Sequence, residues 1–397
     1  MNYQISCPCL FGLESVLADE IRALGGESLQ TTDGRVTFTG DARMVVKANL
    51  WLRTAERVQI LLGSYPASTF EELFEGMHHL PLERYIGPKD AFPVKGWSLN
   101  STLTSIPSCQ SILKKAAVKR LSEKYHITWF EESGAVRQIQ FSLLKNQASI
   151  FIDTSGIGLH KRGYRPAANE APIKETLAAG ILQLARIRDD TNLIDPFCGS
   201  GTFLVEGAMM AMKMAPGLRR SFSCETWGEL EGVSLRELFA EERNAAAQQA
   251  VKDIPFTARG YDTDPRSIEL TVQNAYRAGV SEFVRAEQQD IADFKTDLSR
   301  AVIVCNPPYG ERMLEIEEAE NLYRTMGKVF EQRKFLNYYI ISPHEEFEKL
   351  FGLGADKRRK LYNGMIRCQL YMYFKGGVPL GGKSKPKHPV KNRQKER

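Results

Sequence analysis

Asn192-Leu193-Ile194-Asp195-Pro196-Phe197-Cys198-Gly199-Ser200-Gly201-Thr202 is the stretch that sets the fold. An apolar strand ends in an acid, a tight Gly-x-Gly loop follows, and a helix begins at Thr202. Glycines let the backbone approach a ligand closely. The start of the next helix offers free N–H groups. A Gly-rich loop alone also suits phosphate. Here no Lys-Ser/Thr follows the glycines, and Asp195 opens the loop. A carboxylate repels phosphate and suits an ammonium group.

On both sides of this loop the pattern predicts strands at 192–195, 257–262, 283–288, 301–305, 336–342 and 366–374. Helices are expected between them at 173–187, 202–213, 265–279 and 319–333, and residues 214–256 read as an insertion with its own helix at 234–251. Strands alternating with helices imply an α/β fold with a mainly parallel, doubly wound, Rossmann-like sheet. In such sheets ligands sit beyond the carboxyl ends of the strands, where the strand order switches. Gly260-Tyr261-Asp262 ends the second strand in an acid, where a ribose hydroxyl pair would be held, and Gln289-Asp290 ends the third, where an adenine amino group would donate. Each acid alone is commonly a helix cap or a solvated end. Three at successive strand ends point to one ligand.

Val302-Ile303-Val304-Cys305-Asn306-Pro307-Pro308-Tyr309-Gly310 runs an apolar strand into an amide and two prolines. Proline fixes φ and has no N–H. The Asn306 side chain and the Pro307 carbonyl can then serve as two acceptors aimed at one point, and Tyr309 offers a face for a base. An exocyclic amine needs such a pair, because its lone pair is delocalised into the ring. Accepting both N–H bonds localises that lone pair toward an incoming methyl group. Positioning then supplies most of the rate, without a metal or a strong base. Cys198 and Cys305 have no partner base and read as packing residues.

The first 165 residues follow a different rhythm. Residues 3–26 read as a strand and an amphipathic helix, with Leu13, Val16, Leu17, Ile21 and Leu24 inward and Gly25-Gly26 as its stop. Residues 35–39 alternate as a strand, and 41–62 read as one helix ending in an apolar run. In the next stretch, 66–155, the best helix is 108–126, and strands at 136–144 and 147–153 form a hairpin about Lys145-Asn146-Gln147. Lys114, Lys115, Lys119, Arg120 and Lys124 give that helix a basic exterior, either a solvated face or a set of phosphate contacts. His160, Lys161, Arg162 and Arg165 form a denser cluster, which either contacts nucleic acid or bridges domains.

Length and composition fit two or three globular domains: 397 residues, 43% hydrophobic and 25% charged. No stretch reaches the roughly 20 apolar residues of a membrane helix. The N-terminus lacks a basic region followed by an apolar run, so a cytoplasmic protein without a signal is expected. Seven cysteines without a C-x-x-C pair support neither a disulfide framework nor a zinc site. Residues 383–397 hold seven Lys or Arg and one Glu, so of the net +5 they carry +6 and the remainder carries −1. That tail is expected to be disordered.

The Asn-Pro-Pro-Tyr motif resembles that of class I amino-methyltransferases. Residues Cys7 to Leu24, the helix at 108–126, His160-Lys161-Arg162-Gly163-Tyr164-Arg165 and Ala171-Pro172-Ile173-Lys174-Glu175-Thr176-Leu177 resemble the THUMP-containing family of guanine-N2 RNA methyltransferases. The resemblance extends to about residue 376 and suggests a bacterial single-activity member. It implies a ferredoxin-like module at 1–65, a THUMP module at 66–155, a linker at 156–170, a methyltransferase domain at 171–376 and a basic tail at 377–397. It implies S-adenosyl-L-methionine as cofactor, held by Ala171, Pro172, Ile173, Asp195, Phe197, Cys198, Gly199, Gly201, Thr202, Asp262, Asp290 and Asn306. Asn306, Pro307, Pro308 and Tyr309 would hold the target amine. Lys114, Lys115, Lys119, Arg120, Arg162 and Arg165 would contact RNA, with 23S ribosomal RNA first and transfer RNA second. The same motif chemistry serves adenine N6 on DNA or RNA, and a non-enzymatic RNA-binding factor is a third possibility that the intact motifs disfavour. Metal is not called for, and the oligomeric state is open.

Overall fold

The computed structural model describes residues 2–166, 172–310, 313–330, 335–375 and 378–379. Its N-terminal half runs β1 (Tyr3–Pro8), α1 (Glu14–Leu24), β2 (Glu27–Thr32), β3 (Arg35–Gly40), α2 (Ala42–Trp51), β4 (Gln59–Pro66), α3 (Phe70–His78), β5 (Val94–Leu99), α4 (Ile106–Tyr125), β6 (Ile139–Leu144) and β7 (Gln147–Asp153). All these strands form one sheet of order β2-β3-β1-β4-β7-β6-β5. β4 carries the chain across residue 65, so the two N-terminal stretches share that sheet.

Residues 41–62, expected as one helix, form a helix and then a strand. Asp41 caps the start of α2 by accepting from the Met44 N–H. After Trp51 the backbone turns extended at Leu52, and the N–H groups of Arg53 and Thr54 both donate to the Glu20 carboxylate. That clamp ends the helix and sends Ile60 into the sheet core. The hairpin expected at Lys145-Asn146-Gln147 forms, with positive φ at Lys145 and Asn146 as its twist requires.

The second half runs α5 (Glu175–Leu184), β8 (Asn192–Asp195), α6 (Thr202–Ala211), β9 (Glu229–Leu230), β10 (Val233–Ser234), α7 (Leu235–Gln249), β11 (Thr257–Asp262), α8 (Pro265–Ala278), β12 (Val284–Gln288), β13 (Ala301–Cys305), α9 (Met313–Val329), β14 (Leu336–Ser342), α10 (Phe347–Phe351), β15 (Leu353–Gly354), β16 (Lys357–Asn363), β17 (Ile366–Tyr373) and β18 (Val378–Pro379). Its main sheet has the order β12-β11-β8-β13-β14-β17-β16. The first five strands are parallel, and β17 and β16 close the edge antiparallel. Leu193, Ile194, Ile303 and Val304 are buried, as strands covered on both faces must be. The order reverses between β8 and β13, which opens a crevice at their carboxyl ends.

The halves are packed into each other. Leu13, just before α1, and Val16 within it belong to the core around α5 and α6. Gly180 makes room for this: a Cβ there would sit 2.6 Å from a Leu13 methyl carbon. Among the described residues no helix is long and apolar enough to cross a membrane. The tail at 380–397 lies outside the described residues.

Candidate active site

The loop after β8 is held from three directions. The Asp195 carboxylate accepts from the Phe197 N–H at 3.0 Å. The Cys198 N–H donates to the Tyr261 carbonyl at 2.9 Å, tying the loop to β11. From α8, Thr271 donates to the Gly199 carbonyl and Asn274 to the Ser200 carbonyl. Gly201 has φ +77°, and a Cβ there would meet Thr271 at 2.8 Å, so both conformation and space call for glycine.

This loop, the acids after β11 and β12, and the loop after β13 enclose a cavity of about 970 Å³. Pro172, Ile173, Phe197, Cys198, Gly199 and Thr202 line it, together with Asp195, Asp262 and Asp290. Gly201 shapes the loop without lining the cavity. Ala171 lies outside the described residues. Asp262 accepts from the N–H groups of Gly199 and Asp264, and Asp290 caps a short helical turn by accepting from the Ala292 N–H. Both acids therefore have a structural partner as well as a place in the cavity.

Asp195 is different. It is 2% exposed, and among the described residues it forms no ion pair. Burial pushes its carboxyl up to about 8, against the bond from the Phe197 N–H and with help from the negative Asp262. A buried acid raised in this way calls for a cation. The residues thus fit S-adenosylmethionine: an acid for its ammonium, Asp262 for its ribose and Asp290 for its adenine. When bound, it supplies an electrophilic methyl group on a sulfonium leaving group.

Because the folded protein holds the Asp195 proton that the unfolded chain has lost, the native state loses stability as pH rises from about 4 to about 8. Asp195→Asn removes that dependence. Its melting temperature is expected to exceed that of the wild type at pH 8 by more than it does at pH 5. Calorimetric titration is expected to show a large loss of S-adenosylmethionine affinity in the same variant. Equal melting shifts at both pH values contradict the burial argument.

β13 delivers Asn306 to the other wall, where Pro307, Pro308 and Tyr309 also line the cavity. Tyr323 donates to the Pro308 carbonyl at 2.9 Å and fixes the loop. Tyr309, expected to offer a face for a base, is half-buried, and its hydroxyl donates to the Asn306 side-chain oxygen at 2.5 Å. Asn363, at the end of β16, donates in turn to the Tyr309 oxygen at 3.2 Å. It lines the cavity with Lys174, Gln289, Gly364 and Ile366. Of these only Gln289 stood out in the sequence. Asn363-Gly364 is a hairpin signal, but nothing in it announces a neighbour 54 residues away.

Four expected RNA contacts serve the protein itself. Arg162 is 3% exposed, is paired with Glu206, and donates to the Arg53 and Leu159 carbonyls. Arg165 pairs with Glu175 at 2.9 Å and donates to the Ile173 carbonyl and the Thr202 hydroxyl. Arg120 grips Glu83 with two bonds. Lys114 pairs with Glu132 over the Phe92 ring, and its burial lowers its pKa. Lys115 and Lys119 remain exposed. Cys198 and Cys305 are buried thiols, their pKa pushed up by that burial, as packing residues should be.

A parallel sheet with a switch-point cavity, a Gly-x-Gly loop between acids and an Asn-Pro-Pro-Tyr loop define a class I, S-adenosylmethionine-dependent methyltransferase. Comparison with known proteins agrees. The family model described as "RMKL-like, methyltransferase domain" matches residues 162–372, that of the RlmL ferredoxin-like domain 4–59, and that of the THUMP domain 67–153. A Bacillus subtilis protein described as "Putative RNA methyltransferase YpsC" is 42% identical over 94% of this chain and 96% of its own. A Cellvibrio japonicus "Ribosomal RNA large subunit methyltransferase K/L" is 33% identical over 94% of this chain, which spans 51% of that relative's length. A solved structure titled SMU.472, "a putative methyltransferase complexed with SAH", is 41% identical with a TM-score of 0.86, covering 94% of this chain and 98% of that one. The chain belongs to the RMKL-like methyltransferase family, with RlmL ferredoxin-like and THUMP domains before the methyltransferase domain.

Proposed function

We propose that this protein transfers a methyl group from S-adenosylmethionine to the exocyclic N2 amino group of a guanine in RNA, with 23S ribosomal RNA as the substrate. The observation that carries this is the Asn306-Pro307-Pro308-Tyr309 loop on the cavity wall, across from the acids that fit the cofactor. An amide oxygen and a rigid carbonyl give two acceptors, which match the two N–H donors of an exocyclic amine, whereas a ribose hydroxyl has one donor and a ring carbon none. The RNA half of the proposal rests on the THUMP match and on the names of the relatives. The exposed Lys115 and Lys119 on α4 would be phosphate contacts, with Lys124 of the same basic face exposed beside them. Folded RNA hides its base edges, so a module that grips backbone at a fixed distance from the cavity chooses which exposed or extrudable base enters.

Nucleoside mass spectrometry on ribosomal and transfer RNA from cells lacking the gene tests this. Loss of N2-methylguanosine from large-subunit RNA is expected. Loss of N6-methyladenosine instead would assign the loop to adenine, and loss from transfer RNA would reassign the substrate.

A further inference from the structure

β16 and β17 form a tight hairpin beside the cavity. Asn363 pairs with Ile366 across a two-residue turn, with Gly364 at φ +63° in its first position. That geometry suits a two-residue β-turn and holds the next residue rigidly at the tip. The next residue is Met365, which is 97% exposed. Ile366 beside it is 37% exposed, and Arg367 is exposed too. Scattered exposed apolar residues are ordinary. This pair differs in its place, because Asn363, Gly364 and Ile366 line the cavity that holds Asn306 and Tyr309.

The hairpin also connects the cavity to the N-terminal module. Arg359 donates to the Gly12 carbonyl and the Ser15 hydroxyl, both at 2.7 Å. Next along β16, the exposed Lys360 ammonium lies 5.4 Å from the Tyr362 ring centre. Tyr362 meets Phe11 edge-on at 6.0 Å, and Phe11 is 53% exposed. Cations interleaved with aromatic rings make a track for single-stranded nucleic acid. The track runs from the N-terminal module toward the hairpin tip, where Ile366 lines the cavity and Met365 precedes it in the turn.

We propose that Met365 is a wedge: it enters the RNA stack in place of the target base while that base occupies the cavity. This rests on RNA as the substrate. Flipping a base out of a stack leaves a gap, and proteins fill such gaps with apolar side chains, methionine among them. A flexible, polarisable thioether fits against bases of any identity. Met365 therefore bears on whether a paired base can be extruded, while Asn363 at the base of the hairpin is the residue that touches Tyr309.

The test compares wild type, Met365→Ala and Met365→Leu in single-turnover methyl transfer. One substrate is folded large-subunit ribosomal RNA from cells lacking the gene; the other is the same RNA cut into short unpaired fragments. On folded RNA, Met365→Ala is expected to be slower by at least about tenfold, since it no longer offsets unstacking. Met365→Leu is expected to stay near wild type. On the fragments all three should match, and S-adenosylhomocysteine affinity should be unchanged throughout. Wild-type speed of Met365→Ala on folded RNA, or an equal loss on both substrates, would overturn the wedge while leaving the RNA assignment standing. Absence of wild-type transfer to either RNA would overturn both.

Discussion

Asn306→Ala is expected to slow methyl transfer by about 10²–10³-fold, the usual effect of losing one preorganised hydrogen-bonding group. Cofactor affinity is expected to stay within a few-fold: although the resemblance also gives Asn306 to the cofactor, its amide is bonded to Tyr309, and the acids Asp195, Asp262 and Asp290 lie on other loops. In the proposed reaction the amide would act on the amine, accepting an N–H bond, keeping the lone pair out of the ring and aiming it at the methyl group. Single-turnover rates beside calorimetric titration separate the two effects. A variant that keeps near-wild-type turnover would show that another group orients the amine.

Glu206→Gln is expected to destabilise the protein by about 3–5 kcal/mol, the cost of leaving a buried charge without its partner. Glu206 is fully buried and receives bonds from the Arg162 guanidinium and the Tyr164 hydroxyl. Arg162 reaches on to the Arg53 carbonyl at 2.6 Å, and Arg53 to the Met214 carbonyl at 2.6 Å. Removing the carboxylate charge therefore strands a guanidinium at the joint between the two halves. The midpoint of urea unfolding measures this. A shift worth less than about 1 kcal/mol would mean that the joint relaxes around the loss or admits water. Since Leu13 and Val16 are also buried in the methyltransferase core, a cut near residue 160 would bare apolar surface on both pieces.

What the sequence revealed follows from where the physics is local. β8 and β13 are continuous apolar runs that end in special residues, so both the strands and the loops after them could be read directly. Asp195, Asp262 and Asp290 stood out because each ends such a run. β16 did not, because Lys357, Arg358, Arg359 and Lys360 give it the charge that shields an edge strand and hides its period. The break between α2 and β4 was invisible for another reason. Its cause is the Glu20 carboxylate, 33 residues upstream of Arg53. Arg162 and Arg165 misled in the same way. A basic cluster looks free until the fold shows Glu206 and Glu175 against it. Tyr309 was found, but the bond that closes it onto Asn306 is a property of the folded loop alone.

The central claim is that the Asn306 loop directs a methyl group from S-adenosylmethionine onto the amino group of a base in RNA. Its most direct test incubates the protein with S-adenosylmethionine bearing a trideuterated methyl group and with ribosomal RNA from cells lacking the gene. The RNA is then digested, and the labelled nucleoside is identified by mass spectrometry. The proposal predicts label on an exocyclic nitrogen, as N2-methylguanosine, accumulating about 10²–10³-fold more slowly with Asn306→Ala. Label on a ring carbon or a ribose oxygen, or label that survives Asn306→Ala unchanged, would contradict it.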